Sequence, residues 1–127
     1  MEYRGIDVSA WQGEIDWKKV ADVGTEFAII RITEAGNNVD AYFERNYNGC
    51  VDYGIPAGVY KFSYALSVAA VRQEAERVVD ILRERQLRYP VFLDLDFSIL
   101  KNGLNISPKY FLSIVTPVFS ISKYALY

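Results

Sequence analysis

The sequence has no histidine and a single cysteine, Cys50, among 127 residues. Without histidine there is no Ser-His-Asp or Cys-His relay, and the commonest zinc ligand is missing. One cysteine makes no internal disulfide and no thiolate metal cluster, so Cys50 reads as a small buried hydrophobe. No apolar run approaches the roughly 20 residues that span a bilayer. The opening Met1-Glu2-Tyr3-Arg4-Gly5-Ile6-Asp7 lacks the apolar core of a signal peptide. Charge of one sign is also lacking. With 14 basic against 16 acidic residues the net charge is −2, which makes no electrostatic case for nucleic acid or an anionic membrane. Proton transfer is left to carboxylates, tyrosine or lysine.

Aromatics are plentiful, at 15% with ten tyrosines, and 51% of the chain is hydrophobic. A chain of this size forms one domain and buries roughly two thirds of its unfolded surface. Aromatic rings pack first of all, but exposed tyrosines also stack on sugars.

Periodicity places a short strand over residues 4–9, then a loop, Ser9-Ala10-Trp11-Gln12-Gly13. Asp16 is a plausible N-cap for a helix from Trp17, with Gly24 as its stop. Residues 27–33 form a near-continuous apolar run, as expected of a parallel strand buried on both faces. A loop from Glu34 to Asn38 leads to a helix over residues 41–53. The third strand covers 56–64, with Tyr60, Phe62 and Tyr64 alternating. The clearest helix runs over 68–85, where Val68, Val71, Ala75, Val78, Val79 and Leu82 make one apolar stripe. Its charges, Arg72, Glu76, Asp80, Arg83 and Glu84, read as a solvated face.

The fourth strand, Tyr89-Pro90-Val91-Phe92-Leu93-Asp94-Leu95-Asp96, ends in two acids that share a face. Acids at a strand end often cap a helix or solvate a loop. Two on one face raise each other's proton affinity. The order β-α-β-α-β-α-β predicts right-handed crossovers and a parallel sheet, with strand starts spaced as in a β/α barrel. Residues 107–115 could form a further helix, ended by Thr116-Pro117.

Parallel strands present their C-terminal ends on one rim, where ligands sit. Asp7, Glu34, the Tyr60–Tyr64 segment, Asp94 and Asp96 would gather there. Carboxylates across an aromatic cleft suit glycoside hydrolysis, which needs one protonated acid and one charged carboxylate. Crowding supplies that split by pushing the two proton affinities apart. A metal-dependent sugar-nucleotide transferase using Asp94 and Asp96 is the weaker reading, since no phosphate-cradling glycine loop accompanies the pair.

Gly5-Ile6-Asp7-Val8-Ser9, Trp11-Gln12-Gly13, Ile15-Asp16-Trp17, Gly54-Ile55-Pro56-Ala57-Gly58-Val59-Tyr60 and Leu93-Asp94-Leu95-Asp96 occur in order. This series resembles glycoside hydrolase family 25, the Chalaropsis-type lysozymes, over about residues 4–96, with 97–127 divergent. The resemblance implies an irregular TIM-like β/α barrel, no cofactor, no metal, and peptidoglycan glycan strands as partner. The bond cut would be the β-1,4 bond after N-acetylmuramic acid. Asp7 and Asp94 match the family's first- and fourth-strand acids. Asp96 falls where the family carries a glutamate, its proton donor. Tyr60, Phe62 and Tyr64 match cleft aromatics, with Trp11 and Glu34 beside them as substrate contacts. Arg31 matches a basic second-strand position, for which a buried ion pair is at least as good a reading.

Two departures stand out. Asp96 is one methylene shorter than glutamate, withdrawing its carboxyl by about 1.5 Å, and misplacement on that scale costs about a hundredfold in rate. The pattern of later strands is also missing, so a truncated, incomplete barrel of about four β/α units is expected. Its open sheet edge offers a place for a second copy to pair. The expected setting is synthesis in the cytoplasm and action on the cell wall. A catalytically inactive wall-binding module that keeps the tyrosine cleft is the alternative.

Overall fold

Residues 2–94 are described by the structure, a computed structural model, and they alternate strand and helix. The strands are β1 (Gly5–Val8), β2 (Phe27–Arg31), β3 (Ala57–Phe62) and β4 (Val91–Asp94). The helices are α1 (Trp17–Asp22), α2 (Phe43–Asp52) and α3 (Val68–Leu82). Single 3-10 turns follow β1 at Ala10–Gln12 and β2 at Ala35–Asn37.

The helix starts follow from local chemistry. Asp16 Oδ1 accepts the Lys19 N–H at 3.2 Å, and Ser67 Oγ accepts the Ala70 N–H at 3.1 Å. Each satisfies one of the amide donors that a helix leaves open at its first turn. Gly24, two residues beyond α1, adopts φ 82°, a left-handed conformation that glycine enters without a Cβ penalty. On α2, Gly49 lets the Trp17 ring lie against the helix backbone; a Cβ there would come within 2.2 Å of the ring. Trp17 is buried as a result, and its Nε1–H donates to Asn46 Oδ1 at 3.3 Å.

All strand pairs are parallel, in the order β1-β2-β3-β4. Val8, Ile30, Val59 and Val91 lie in one register row. They join Trp17, Phe43, Cys50, Val71, Ala75, Val78 and Leu82 in a single core between sheet and helices. At roughly 1.5–3 kcal/mol per fully buried large apolar side chain, this layer is the main source of cohesion.

The expected parallel α/β sheet is present, and its barrel closure is not seen among the described residues: the sheet is open, with β1 and β4 at its edges. The helices are shorter than periodicity suggests. Helix α2 begins at Phe43 because Asp40 turns the chain first, accepting the Tyr42 N–H on its side chain and the Phe43 N–H on its carbonyl. The third strand stops at Phe62, short of Tyr64. Asp96 and the expected helix over 107–115 lie outside the described residues.

Candidate active site

Register decides which side chains share the face that the helices leave open. Asp7 stands opposite Ile29, Arg31 opposite Tyr60, Tyr60 opposite Phe92, and Phe62 opposite Asp94. Since alternate residues point the same way, Asp7, Ile29, Arg31, Tyr60, Phe62, Phe92 and Asp94 project from that face. An open cleft of about 530 Å³ lies over it, lined by Asp7, Gln12, Ile29, Tyr60, Phe92, Leu93 and Asp94. The acids of the first and fourth strands therefore share one cleft with two aromatic rings. Both acids are exposed, so each carboxylate is open to solvent and to an incoming ligand.

Tyr60 is half-buried at the centre of the cleft. Burial raises its hydroxyl above the ordinary tyrosine range; a hydrogen bond with the Ser9 hydroxyl and the Arg31 charge oppose that rise, and Asp7 and Asp40 add to it. Tyr60 thus remains a neutral hydroxyl at physiological pH, able to donate to or accept from a sugar oxygen. Ser9 also caps the 3-10 turn, accepting the Trp11 N–H at 3.1 Å, while Gln12 Oε1 accepts the Ser9 N–H at 2.7 Å. That reciprocal pair fixes Gln12 at the cleft wall and leaves Trp11 85% exposed on the turn.

Arg31 is committed to acids of its own side of the sheet. Its Nε–H donates to Asp40 Oδ2 at 2.6 Å, and a terminal nitrogen lies 3.7 Å from Glu34 Oε2. The buried ion pair is therefore present with Asp40, and the more exposed Glu34 flanks it. Neither residue lines the cleft that holds Asp7 and Asp94.

The loop after β3 departs from strand alternation. Lys61 and Glu74 are buried behind it, with Nζ 3.3 Å from Oε2. The other oxygen, Glu74 Oε1, accepts from the Ser63 hydroxyl and the Tyr64 N–H, each at 3.1 Å. This holds the half-exposed Tyr64 ring edge-on to Phe62, with centroids 4.9 Å apart, and 5.7 Å from Lys61 Nζ. Phe62 and Tyr64 form a second aromatic pair outside the residues that line the cleft.

Sequence reasoning missed Gln12, Phe92, Asp40 and the Lys61–Glu74 pair. Phe92 had a signal, since it lies two residues before Asp94 on the same strand face. Asp40 had a weaker one, as an acid just ahead of a helix. Among the described residues, no group of three or more acids or cysteines converges as a metal site. No helix there is long and apolar enough to cross a membrane.

The family model for "Glycosyl hydrolases family 25" matches residues 6–115. The chain belongs to glycosyl hydrolase family 25. Lysozyme M1 of Streptomyces globisporus is 45% identical over 60 residues, which cover 47% of this chain and 20% of that protein. A solved family 25 glycosyl hydrolase from Bacillus anthracis superposes with a TM-score of 0.69 at 25% identity, covering 92% of this chain and 52% of that one. The autolysin LytC from Streptococcus pneumoniae, solved with a synthetic peptidoglycan ligand, gives 0.81 at 24% identity, covering 97% of this chain and 31% of that one, and attests the fold alone. The chain thus spans a fifth of the length of the lysozyme it matches, and about half or less of the two solved structures.

Proposed function

We propose that this chain carries the hydrolytic site of a muramidase, acting on the β-1,4 glycosidic bond of bacterial cell-wall peptidoglycan. The observation that carries the reading is the shared cleft of Asp7 and Asp94 beside Tyr60 and Phe92 in a family 25 chain. Hydrolysis of an acetal needs a proton at the leaving oxygen and negative charge facing the oxocarbenium-like transition state. Asp96 is the proton donor in this scheme. Asp7 and Asp94 supply the charge on the other side and orient the water or substrate group that attacks. Tyr60 hydrogen-bonds the sugar, and Phe92 gives it an apolar wall. Trp11, Phe62 and Tyr64 extend the aromatic surface along the glycan strand, while Arg31 and Glu34 act from beside the cleft through their ion pair.

Loss of turbidity of purified bacterial walls tests the proposal. Asp94→Asn should lower lysis by about 10²–10⁴-fold, the range of a lost acid, base or charge partner. Asp96→Glu should raise it, because the longer side chain restores about 1.5 Å of reach toward the leaving oxygen. Wild-type chain that sediments with walls and lyses none, with Asp96→Glu equally silent, would instead support an inactive wall-binding module.

A further inference from the structure

Asp40 is 2% exposed as a residue, its side chain is fully buried, and both carboxylate oxygens are occupied. Oδ2 accepts from Arg31 Nε at 2.6 Å and from the Ala10 N–H at 3.1 Å, and Oδ1 accepts from the Tyr42 N–H at 2.9 Å. One buried anion thereby joins the turn after β1, the end of β2 and the entry to α2. Ala10 opens the turn that carries Trp11 and Gln12, and Gln12 lines the cleft. Arg31 stands opposite Tyr60 in the sheet register.

We infer that Asp40 is a positioning residue of the cleft: its carboxylate pins the Trp11–Gln12 turn to the sheet and fixes Arg31 beside Tyr60. Charge-assisted bonds to a buried carboxylate are short and strong, so one residue can set both placements. Beside Asp40, the turn is tied to the sheet through its buried cap Ser9, whose hydroxyl bonds Tyr60. Trp11 itself is almost wholly in solvent, and the Ser9–Gln12 bonds are internal to the turn. In the hydrolase reading, on which only the kinetic arm of this inference rests, the turn sets where the glycan lies and takes no part in proton transfer.

The chain has two tryptophans with opposite surroundings, Trp11 exposed and Trp17 buried. Labelling with 5-fluorotryptophan therefore gives two fluorine resonances, assigned by Trp11→Phe. Asp40→Asn removes the charge and Asp40→Glu moves it by one methylene. Either should shift and sharpen the Trp11 signal as the turn is released, with the Trp17 signal unmoved. On a soluble glycan chain, KM should rise about tenfold with kcat within about twofold, the pattern of lost binding common to ground and transition states. A Trp11 signal unchanged in both variants overturns the inference. So does an equal displacement of Trp17 in both, since Asp40 would then support the whole fold and not the turn. An inactive wild type with Trp11 displaced in the variants removes the hydrolase reading and upholds the positioning role.

Discussion

Val8, Ile30, Val59 and Val91 form one row on the helix-covered face of the sheet, and none is more than 4% exposed. One residue along each of three of those strands, Ile29, Tyr60 and Phe92 stand half-buried on the open face, and Asp7 on the fourth is exposed. Each face also has a cation near the C-terminal end of a strand, paired with an acid from a neighbouring element. On the open face it is Arg31 with Asp40; on the covered face it is Lys61 with Glu74. The comparison separates two uses of the same backbone. The covered face excludes water and tolerates charge only in matched pairs, while the open face keeps Asp7 and Asp94 in water where a ligand can reach them.

The sharpest way to break the comparison is to remove one member of the covered pair. Lys61→Met leaves Glu74 buried with the Ser63 and Tyr64 donors but no cation. Stranding a buried charge in this way costs about 3–5 kcal/mol, and replacing both partners costs far less. Urea unfolding should therefore show Lys61→Met strongly destabilised and Lys61→Met with Glu74→Gln close to wild type. Equal, small losses in the single and double variants would mean that the pair is hydrated and the covered face is not dry at that point.

A second comparison uses two neighbours in β2. Ile30 is fully buried and Ile29 is half-buried on the other face. Ile30→Ala should cost about 2–5 kcal/mol, through lost transfer energy and an unfilled cavity. Ile29→Ala should cost roughly 1 kcal/mol or less, because less apolar area leaves water there. If the two losses are equal, the open face is covered in solution, by chain outside the described residues or by a second copy.

The same contrast explains what the sequence could disclose. Alternation within strands and the handedness of β-α-β crossovers already bring Asp7 and Asp94 to one end of one face, and the cleft lies there. Tyr60 followed from the same count. Residues 27–33 read as a strand buried equally on both faces, but Phe27, Ile29 and Arg31 turn out half-buried, a difference that depends on which face the helices cover. In Val59-Tyr60-Lys61-Phe62 the polar residue looks like the solvated one. It points inward, because Glu74 sits in the apolar stripe of α3 and meets it there. Alternation alone carries the strand on to Tyr64, but a glutamate ten residues downstream takes the Tyr64 N–H and bends the chain away. For Arg31 the sequence leaves an ion pair as one of two readings, and nothing in it singles out Asp40 as the partner. A buried clasp is fixed by tertiary approach, and neither period nor composition records it.

The smallest expected effect lies in alkaline solution, where adjacent residues of β3 should pull stability in opposite directions. Burial lowers the Lys61 ammonium below its ordinary 10.5, against the pull of Glu74, while burial raises the Tyr60 hydroxyl above its ordinary 10.0. Between the folded value of Lys61 and 10.5 the unfolded chain binds more protons at that site, so this residue makes stability rise with pH. Between 10.0 and the folded value of Tyr60 the folded chain binds more, so that residue makes stability fall with pH. Urea midpoints followed from about pH 8 to about pH 11 should lose part of their alkaline fall in Tyr60→Phe and part of their preceding rise in Lys61→Met. A Tyr60→Phe profile parallel to wild type would mean that the hydroxyl titrates as it does in water. The cleft floor would then be as wet as its rim, and the distinction between an open face that shelters Tyr60 and one that merely exposes it would fall.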